Sequence, residues 1–138
     1  MRHGSTLEYS LHCARIVFFE TDAMTAFTVG QLLRIFVGEG ATWHGRPLYA
    51  AIVELLQHEG VAGASVFRGI EGFGSRHEIH VSRLFGSGRD LPILIEVVDT
   101  EKKIAGLIPR IDEMVSEGAM TLERVEFRRF LPPRKENA

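Results

Sequence analysis

Leu32-Leu33-Arg34-Ile35-Phe36-Val37 and Ile93-Leu94-Ile95-Glu96-Val97-Val98 are two versions of one phrase. Each runs through an amphipathic helical stretch into a Glu-Gly pair, Glu59-Gly60 or Glu117-Gly118, and then into an extended segment, from Ala64 or from Thr121. Apolar runs this continuous are expected of central strands covered on both sides. After the first run, Leu48, Ile52, Leu55 and Leu56 recur at helical spacing behind Pro47, which a first helical turn tolerates, and Gly60 supplies a left-handed stop. After the second, Asp99 or Thr100 caps a helix whose stripe is Ile104, Leu107, Ile108, Ile111 and Val115; Gly106 and Pro109 predict a kink or a broken first turn. Thr121 to Phe130 closes the chain as a strand, with Val125 and Phe127 inward and Arg124, Glu126 and Arg128 on the other face.

Two strand-helix-strand units of this length make a ferredoxin-like βαββαβ fold of the α+β class. Right-handed crossovers place both helices on one face of an antiparallel sheet. If Leu33, Ile35, Ile95 and Val97 face the helices, Leu32, Phe36, Leu94 and Val98 lie on the bare face. Such a patch is unusual on a monomer, and burying each side chain contributes roughly 1.5 to 3 kcal/mol, so a homo-oligomer is expected. Half of the 14 glycines (Gly60, Gly63, Gly69, Gly72, Gly74, Gly86 and Gly88) fall between the units. There Val66, Arg68 and Ile70 alternate with Phe67, Gly69 and Glu71, Ile79 and Val81 continue as a second extended piece, and 73–91 reads as an extended hairpin loop joining the repeats.

A chain of 138 residues with 45% apolar content holds one compact core. Sixteen basic against 18 acidic residues, with no long basic run, make nucleic acid a poor first reading. Cys13 is the single cysteine, which excludes an intramolecular disulfide and a cysteine-built zinc site and fits a reducing cytoplasm. No apolar run approaches the roughly 20 residues of a membrane span, and Ile16-Val17-Phe18-Phe19 is short for a secretory signal, so a soluble, unexported protein is expected. Residues 1–23 read as an extension upstream of the folded domain at 24–131, with an added edge strand around Ala14 to Phe19 as the alternative, and 132–138 read as a tail.

Three segments could carry chemistry. The loop Gly38-Glu39-Gly40-Ala41-Thr42-Trp43-His44-Gly45 sits at a strand end, where Trp43 could offer a stacking surface and Glu39 or His44 could fix polar groups. The alternative is a structural turn in which Trp43 packs under the helix and His44 caps it. Arg68-Gly69-Ile70-Glu71-Gly72-Phe73-Gly74-Ser75-Arg76 has the composition of an anion cradle, without a phosphate-loop or dinucleotide fingerprint; a glycine-rich bend is the alternative. His77-Glu78-Ile79-His80 would splay its imidazoles to opposite sides of a strand, so no metal site is expected within one chain. No carboxylate pair or nucleophile-base pair stands out among Glu71, Glu78, Glu96, Asp99 and the serines, and no catalytic residue is assigned.

Leu33-Arg34-Ile35-Phe36-Val37-Gly38-Glu39, Trp43-His44-Gly45-Arg46-Pro47-Leu48-Tyr49, Gly63 through Gly74 and Leu91-Pro92 through Asp99 together resemble the PII-like family of small bacterial and archaeal proteins, over about Leu32 to Phe130. The resemblance implies a non-catalytic signalling homotrimer whose sheets face the threefold axis. It also implies an adenine nucleotide as effector, bound between subunits, with the 73–91 loop contacting a partner protein. Carried over by position, the cleft draws on Glu39, Trp43, His44, Arg68, Gly69, Gly72 and Gly74, with Arg128 or Arg129 from a neighbour. Genes of this family sometimes lie beside fluoride exporters, so an accessory subunit docking on a membrane transporter or channel is a second reading; a small enzyme on the same scaffold is a third. Glu117-Gly118-Ala119-Met120 carries no lysine to embrace phosphates, and Tyr9 and Tyr49 are the only tyrosines, so the PII loop's modifiable tyrosine has no counterpart.

Overall fold

In the computed structural model the two versions of the phrase lie side by side as the central pair of one sheet. Strand β1 (Thr28–Gly38) and strand β7 (Pro92–Asp99) are antiparallel, with Leu33 opposite Val97, Ile35 opposite Ile95 and Val37 opposite Ile93. The structure describes residues 27–74, 80–81 and 90–130. Strand β8 (Ala119–Phe127) flanks β1 and strand β4 (Ala64–Arg68) flanks β7, giving the order β4-β7-β1-β8 with every neighbouring pair antiparallel. Helix α1 (Leu48–His58) connects β1 to β4, and helix α2 (Glu101–Met114) connects β7 to β8. This is the ferredoxin-like arrangement that the duplicated phrase predicts. Two small antiparallel pairs complete it: β2 (Thr42–Trp43) with β3 (Arg46–Pro47), and β5 (Glu71–Gly72) with β6 (His80–Val81). The expectations for residues 1–23, for Ala14 to Phe19, for 132–138 and for most of 75–89 lie outside the described residues.

Both helices pack on one face. Leu48, Ile52 and Leu56 of α1 and Ile104, Leu107 and Ile111 of α2 form a single buried cluster with Leu33, Ile35, Val37, Ile93, Ile95 and Val97. The ends of the helices are fixed locally. Gly60 takes φ 68° just past α1, the Lys103 ammonium donates to the Glu59 carbonyl at 3.0 Å, and Arg110 pairs with the Glu59 carboxylate. The Thr100 hydroxyl accepts from the Lys103 amide at the start of α2. Asp99, only 8% exposed, accepts from the Ala62 amide at 2.9 Å and the Thr100 amide at 2.7 Å, so its buried carboxylate is satisfied and ties the loop after α1 to the sheet. Helix α2 runs unbroken through Gly106 and Pro109. The carbonyl of Ala105 that Pro109 leaves without a helical donor belongs to an exposed residue, where water can replace the missing amide. Among the described residues no helix is long and apolar enough to cross a membrane.

Among the described residues nothing packs over the opposite face. Residues directly opposite in an antiparallel ladder share a face, so Leu32 with Val98, Phe36 with Leu94, and Phe67 opposite Leu94 all point away from the helices. Phe36 and Phe67 are 38% and 50% exposed. In the middle of this face Arg34 donates to Glu96 at 2.7 Å and pairs with Glu123 on the other side. The hydrogen bond to Glu96, ahead of the charge of Glu123, raises the Arg34 guanidinium further above its ordinary value. One expectation is corrected: Val125 and Phe127 stand opposite Gly30 and Thr28, on the face of Leu32, and do not point toward the helices. A period of two says that residues alternate, not which set faces the core, and the register with β1 decides it.

Because Ile95 is fully buried at the centre of the coated face, Ile95→Ala should cost roughly 2 to 5 kcal/mol in chemical denaturation. A loss below 1 kcal/mol would contradict this placement of the core.

Candidate functional site

At one end of the sheet the last residues of β1 and β4 meet the first residues of β7. Gly38 stands opposite Pro92 and Arg68 opposite Ile93, so the chain just before Pro92 forms a seam between the ends of β1 and β4. The Glu39 amide donates to the Leu91 carbonyl at 2.8 Å, the Gly40 amide to the Asp90 carboxylate at 2.5 Å, and the Gly69 amide to the Pro92 carbonyl at 2.7 Å. Above this backbone the Arg68 guanidinium pairs with the Glu39 carboxylate, joining the two outer walls of the seam. The glycines have a steric reason. A Cβ on Gly69 or Gly72 would come within 2.5 Å or 2.9 Å of the Pro92 ring, and one on Gly38 would overlap the Asp90 carboxylate.

The turn after β1 leads directly into the hairpin of β2 and β3. The Ala41 amide donates back to the Gly38 carbonyl at 3.2 Å, and the Leu48 amide donates to the Ala41 carbonyl at 2.8 Å, placing the hairpin at the head of α1. His44 and Gly45 take φ of 50° and 77°, the left-handed pair that a tight two-residue hairpin uses. Trp43 is half-buried against the core cluster, and the His44 imidazole stacks on its indole with centroids 4.3 Å apart and planes 20° off parallel. Helix α1 has no side-chain cap, so His44 does not serve as one. The stack also covers part of the indole, and the exposed ring of the pair is the imidazole. Arg46, opposite Trp43, is tied to Glu54 of α1 at 2.7 Å. That hydrogen bond, and then the opposite charge, raises the Arg46 guanidinium above its ordinary value and lowers the Glu54 carboxyl below its own.

Glu39, Arg68, Gly69 and Gly72 are therefore brought together, with Trp43 and His44 on the adjoining hairpin. Gly74 lies beyond the seam, with open space where a Cβ would be. Arg128 follows β8, whose last residue stands opposite Thr28, at the far end of β1. At about 3.3 Å per residue the eleven steps from Thr28 to Glu39 span roughly 36 Å. Within one chain Arg128 does not join the seam; its guanidinium lies 5.5 Å from the Phe130 ring centre. Asp90 and Pro92 belong to the seam and were not singled out by their residue types. The one signal in the sequence is their position immediately before a central strand, matched by glycines at both facing strand ends. Among the described residues no group of three or more His, Cys, Asp and Glu side chains is placed to hold a metal ion.

Comparison with known proteins follows the same boundaries. The profile of the DUF190 family, described as "Uncharacterized ACR, COG1993", matches residues 30–127. A UPF0166 protein of Aquifex aeolicus is 38% identical over 96 residues, covering 70% of this chain and 90% of the relative. A UPF0166 protein of Methanocaldococcus jannaschii is 32% identical over 92 residues, covering 67% and 84%. Among solved structures the fold is similar to that of CPII, a nitrogen regulatory PII-like protein from Thiomonas intermedia K12 determined with ADP, AMP and bicarbonate. The TM-score is 0.52 at 20% identity, over 75% of this chain and 92% of that one. A second CPII structure, with ADP and bicarbonate, gives 0.51 at 21% identity over the same shares.

The hairpin carries a pH dependence of known sign. A carboxyl lowered in the folded state contributes stability above its unfolded value and loses it as pH falls through the folded one. Emission from Trp43, the only tryptophan, should shift as pH falls below the ordinary glutamate value of about 4.3, and Glu54→Gln should show part of that shift already at neutral pH. Emission from Glu54→Gln identical to the parent at every pH would contradict the anchoring role.

Proposed function

Since the chain belongs to the DUF190 family, whose fold here is that of PII-like proteins, we propose that it is a non-catalytic cytoplasmic regulator, a homotrimer joined through its bare sheet faces, with an adenine nucleotide as effector. The observation that carries this reading is the half-coated sheet. Leu32, Phe36, Phe67, Leu94 and Val98 present apolar surface on the uncovered side, and covering what each leaves exposed contributes a share of the roughly 1.5 to 3 kcal/mol of full burial. The Arg34 ion pairs at its centre fit a role in fixing register, since an unpaired charge in a buried interface is strongly unfavourable.

Assembly also supplies what one chain lacks. Glu39, Trp43, His44, Arg68, Gly69, Gly72 and Gly74 lie at one end of the sheet, and the Arg128 of a neighbour is the cation that would complete the cleft. That CPII was determined with ADP and AMP supports the choice of nucleotide. Gly72 and Asp90, on either side of the 73–91 loop, both lie at the seam, so a ligand there can alter what that loop presents to a partner protein. Ile70 and Phe73, 81% and 67% exposed at the root of that segment, favour a partner with an apolar surface, such as a membrane transporter or channel, as the second reading.

Calorimetric titration with AMP, ADP and ATP tests the effector. The parent should release or absorb heat saturably with at least one of them, and Arg68→Ala and Arg128→Ala should each weaken binding about tenfold or more, the loss of one charge-assisted contact. No heat and no thermal shift with any of the three would remove the nucleotide from this account.

A further inference from the structure

Both donors at the seam that could receive an anion are held by carboxylates of the chain itself. The Arg68 guanidinium is held by Glu39, and the Gly40 amide by Asp90 at 2.5 Å. The Asp90 contact has a shaped backbone around it. A Cβ on Gly38 would lie 2.6 Å from Asp90 Oδ1 and closer still to Oδ2, and one on Gly40 would lie 3.3 Å from Oδ1. The turn from Gly38 to Gly40 therefore lets bare backbone approach both carboxylate oxygens, with the Gly40 amide as the donor, while the Glu39 and Ala41 amides are committed to the Leu91 and Gly38 carbonyls. Asp90 is exposed and stands just before β7, so withdrawing its side chain breaks no strand pairing.

We propose that the Gly38–Gly40 turn is an oxyanion site closed by Asp90, which acts as an internal ligand, and that a phosphate group opens it by taking the place of the Asp90 carboxylate. Charge gives the contact its gating effect. With Glu39 and Asp90 against Arg68, the seam carries a net negative charge and repels a free anion while Asp90 is seated. Displacing Asp90 frees the Gly40 amide and moves a negative charge out of the turn. Because residue 90 is also the point where the chain re-enters the sheet, ligand entry becomes a displacement at the base of the segment after β6. The proposal rests on the nucleotide reading for the natural ligand; the turn itself is tested with inorganic phosphate.

The test uses nitrogen-15 spectra of the full chain, following the Gly40 amide during titration with inorganic phosphate, with AMP calorimetry in parallel. Asp90→Ala should show a saturable phosphate-dependent shift of the Gly40 amide with a midpoint at least fivefold below the parent's, and AMP affinity at least fivefold above the parent. Asp90→Asn, which keeps an acceptor oxygen and preserves the turn if the alanine variant misfolds, should fall between them. Asp112→Asn, an exposed carboxylate change on α2, should behave as the parent and so separates the local effect from net charge. Phosphate binding to Asp90→Ala without AMP binding to any variant supports the oxyanion site and removes the nucleotide. A Gly40 amide that ignores phosphate in folded Asp90→Ala and Asp90→Asn, or that shifts at the same phosphate concentration in both as in the parent, overturns the proposal.

Discussion

The antiparallel pairing of β1 with β7 sets the rest of the molecule. It brings Leu33, Ile35 and Val37 against Val97, Ile95 and Ile93, six buried aliphatic side chains on one face, and both helices are drawn to that face to cover them. Since each strand alternates, the same pairing forces Leu32, Phe36, Leu94 and Val98 to the other side, where the described residues offer no third layer. One register thus produces both the stable core and the unsatisfied face. The Arg34, Glu96 and Glu123 group follows from it too, because Arg34 and Glu96 are direct partners in the ladder.

The same pairing builds the seam. Gly38 opposite Pro92 and Arg68 opposite Ile93 put the ends of β1 and β4 on either side of the start of β7. Pro92 has no amide to donate, and its ring fills the space that Gly69 and Gly72 leave open. The result is a short stretch of backbone whose amides are taken up by neighbouring carbonyls and by Asp90, roofed by the Glu39 and Arg68 pair. The Glu39, Gly40 and Gly69 amides and the Arg68 guanidinium each have a partner within the chain, which suits a site whose closed state must be stable and whose opening must be driven by a ligand.

Much of the fold was legible because it rests on periodicity. The repeated apolar phrase marked the two central strands, the i, i+4, i+7 spacing of Leu48, Ile52 and Leu55 marked the first helix, and Gly60 marked its end. The facing of β8 was not legible. Val125 and Phe127 are apolar and read as core, but both outer faces of that strand carry apolar residues, and only pairing with β1 separates them. The site was half legible. Glu39, Arg68, Gly69 and Gly72 announce themselves by residue type, whereas Asp90 looks like one more surface carboxylate until the turn around it is seen. Trp43 is legible as a residue type, but the stacking of its indole by His44 is not, because that contact between sequence neighbours depends on the left-handed backbone at His44.

The central claim is that the bare face is covered by copies of the same chain, and the mass of the particle in solution tests it most directly. Sedimentation velocity of the full chain at micromolar concentration should give a single species near three times 15.4 kDa, and placing a charge in the face with Leu94→Glu should reduce it to the single-chain mass. A parent chain that sediments at 15.4 kDa across all concentrations would contradict the account, since Leu32, Phe36, Leu94 and Val98 would then have no second copy to cover them.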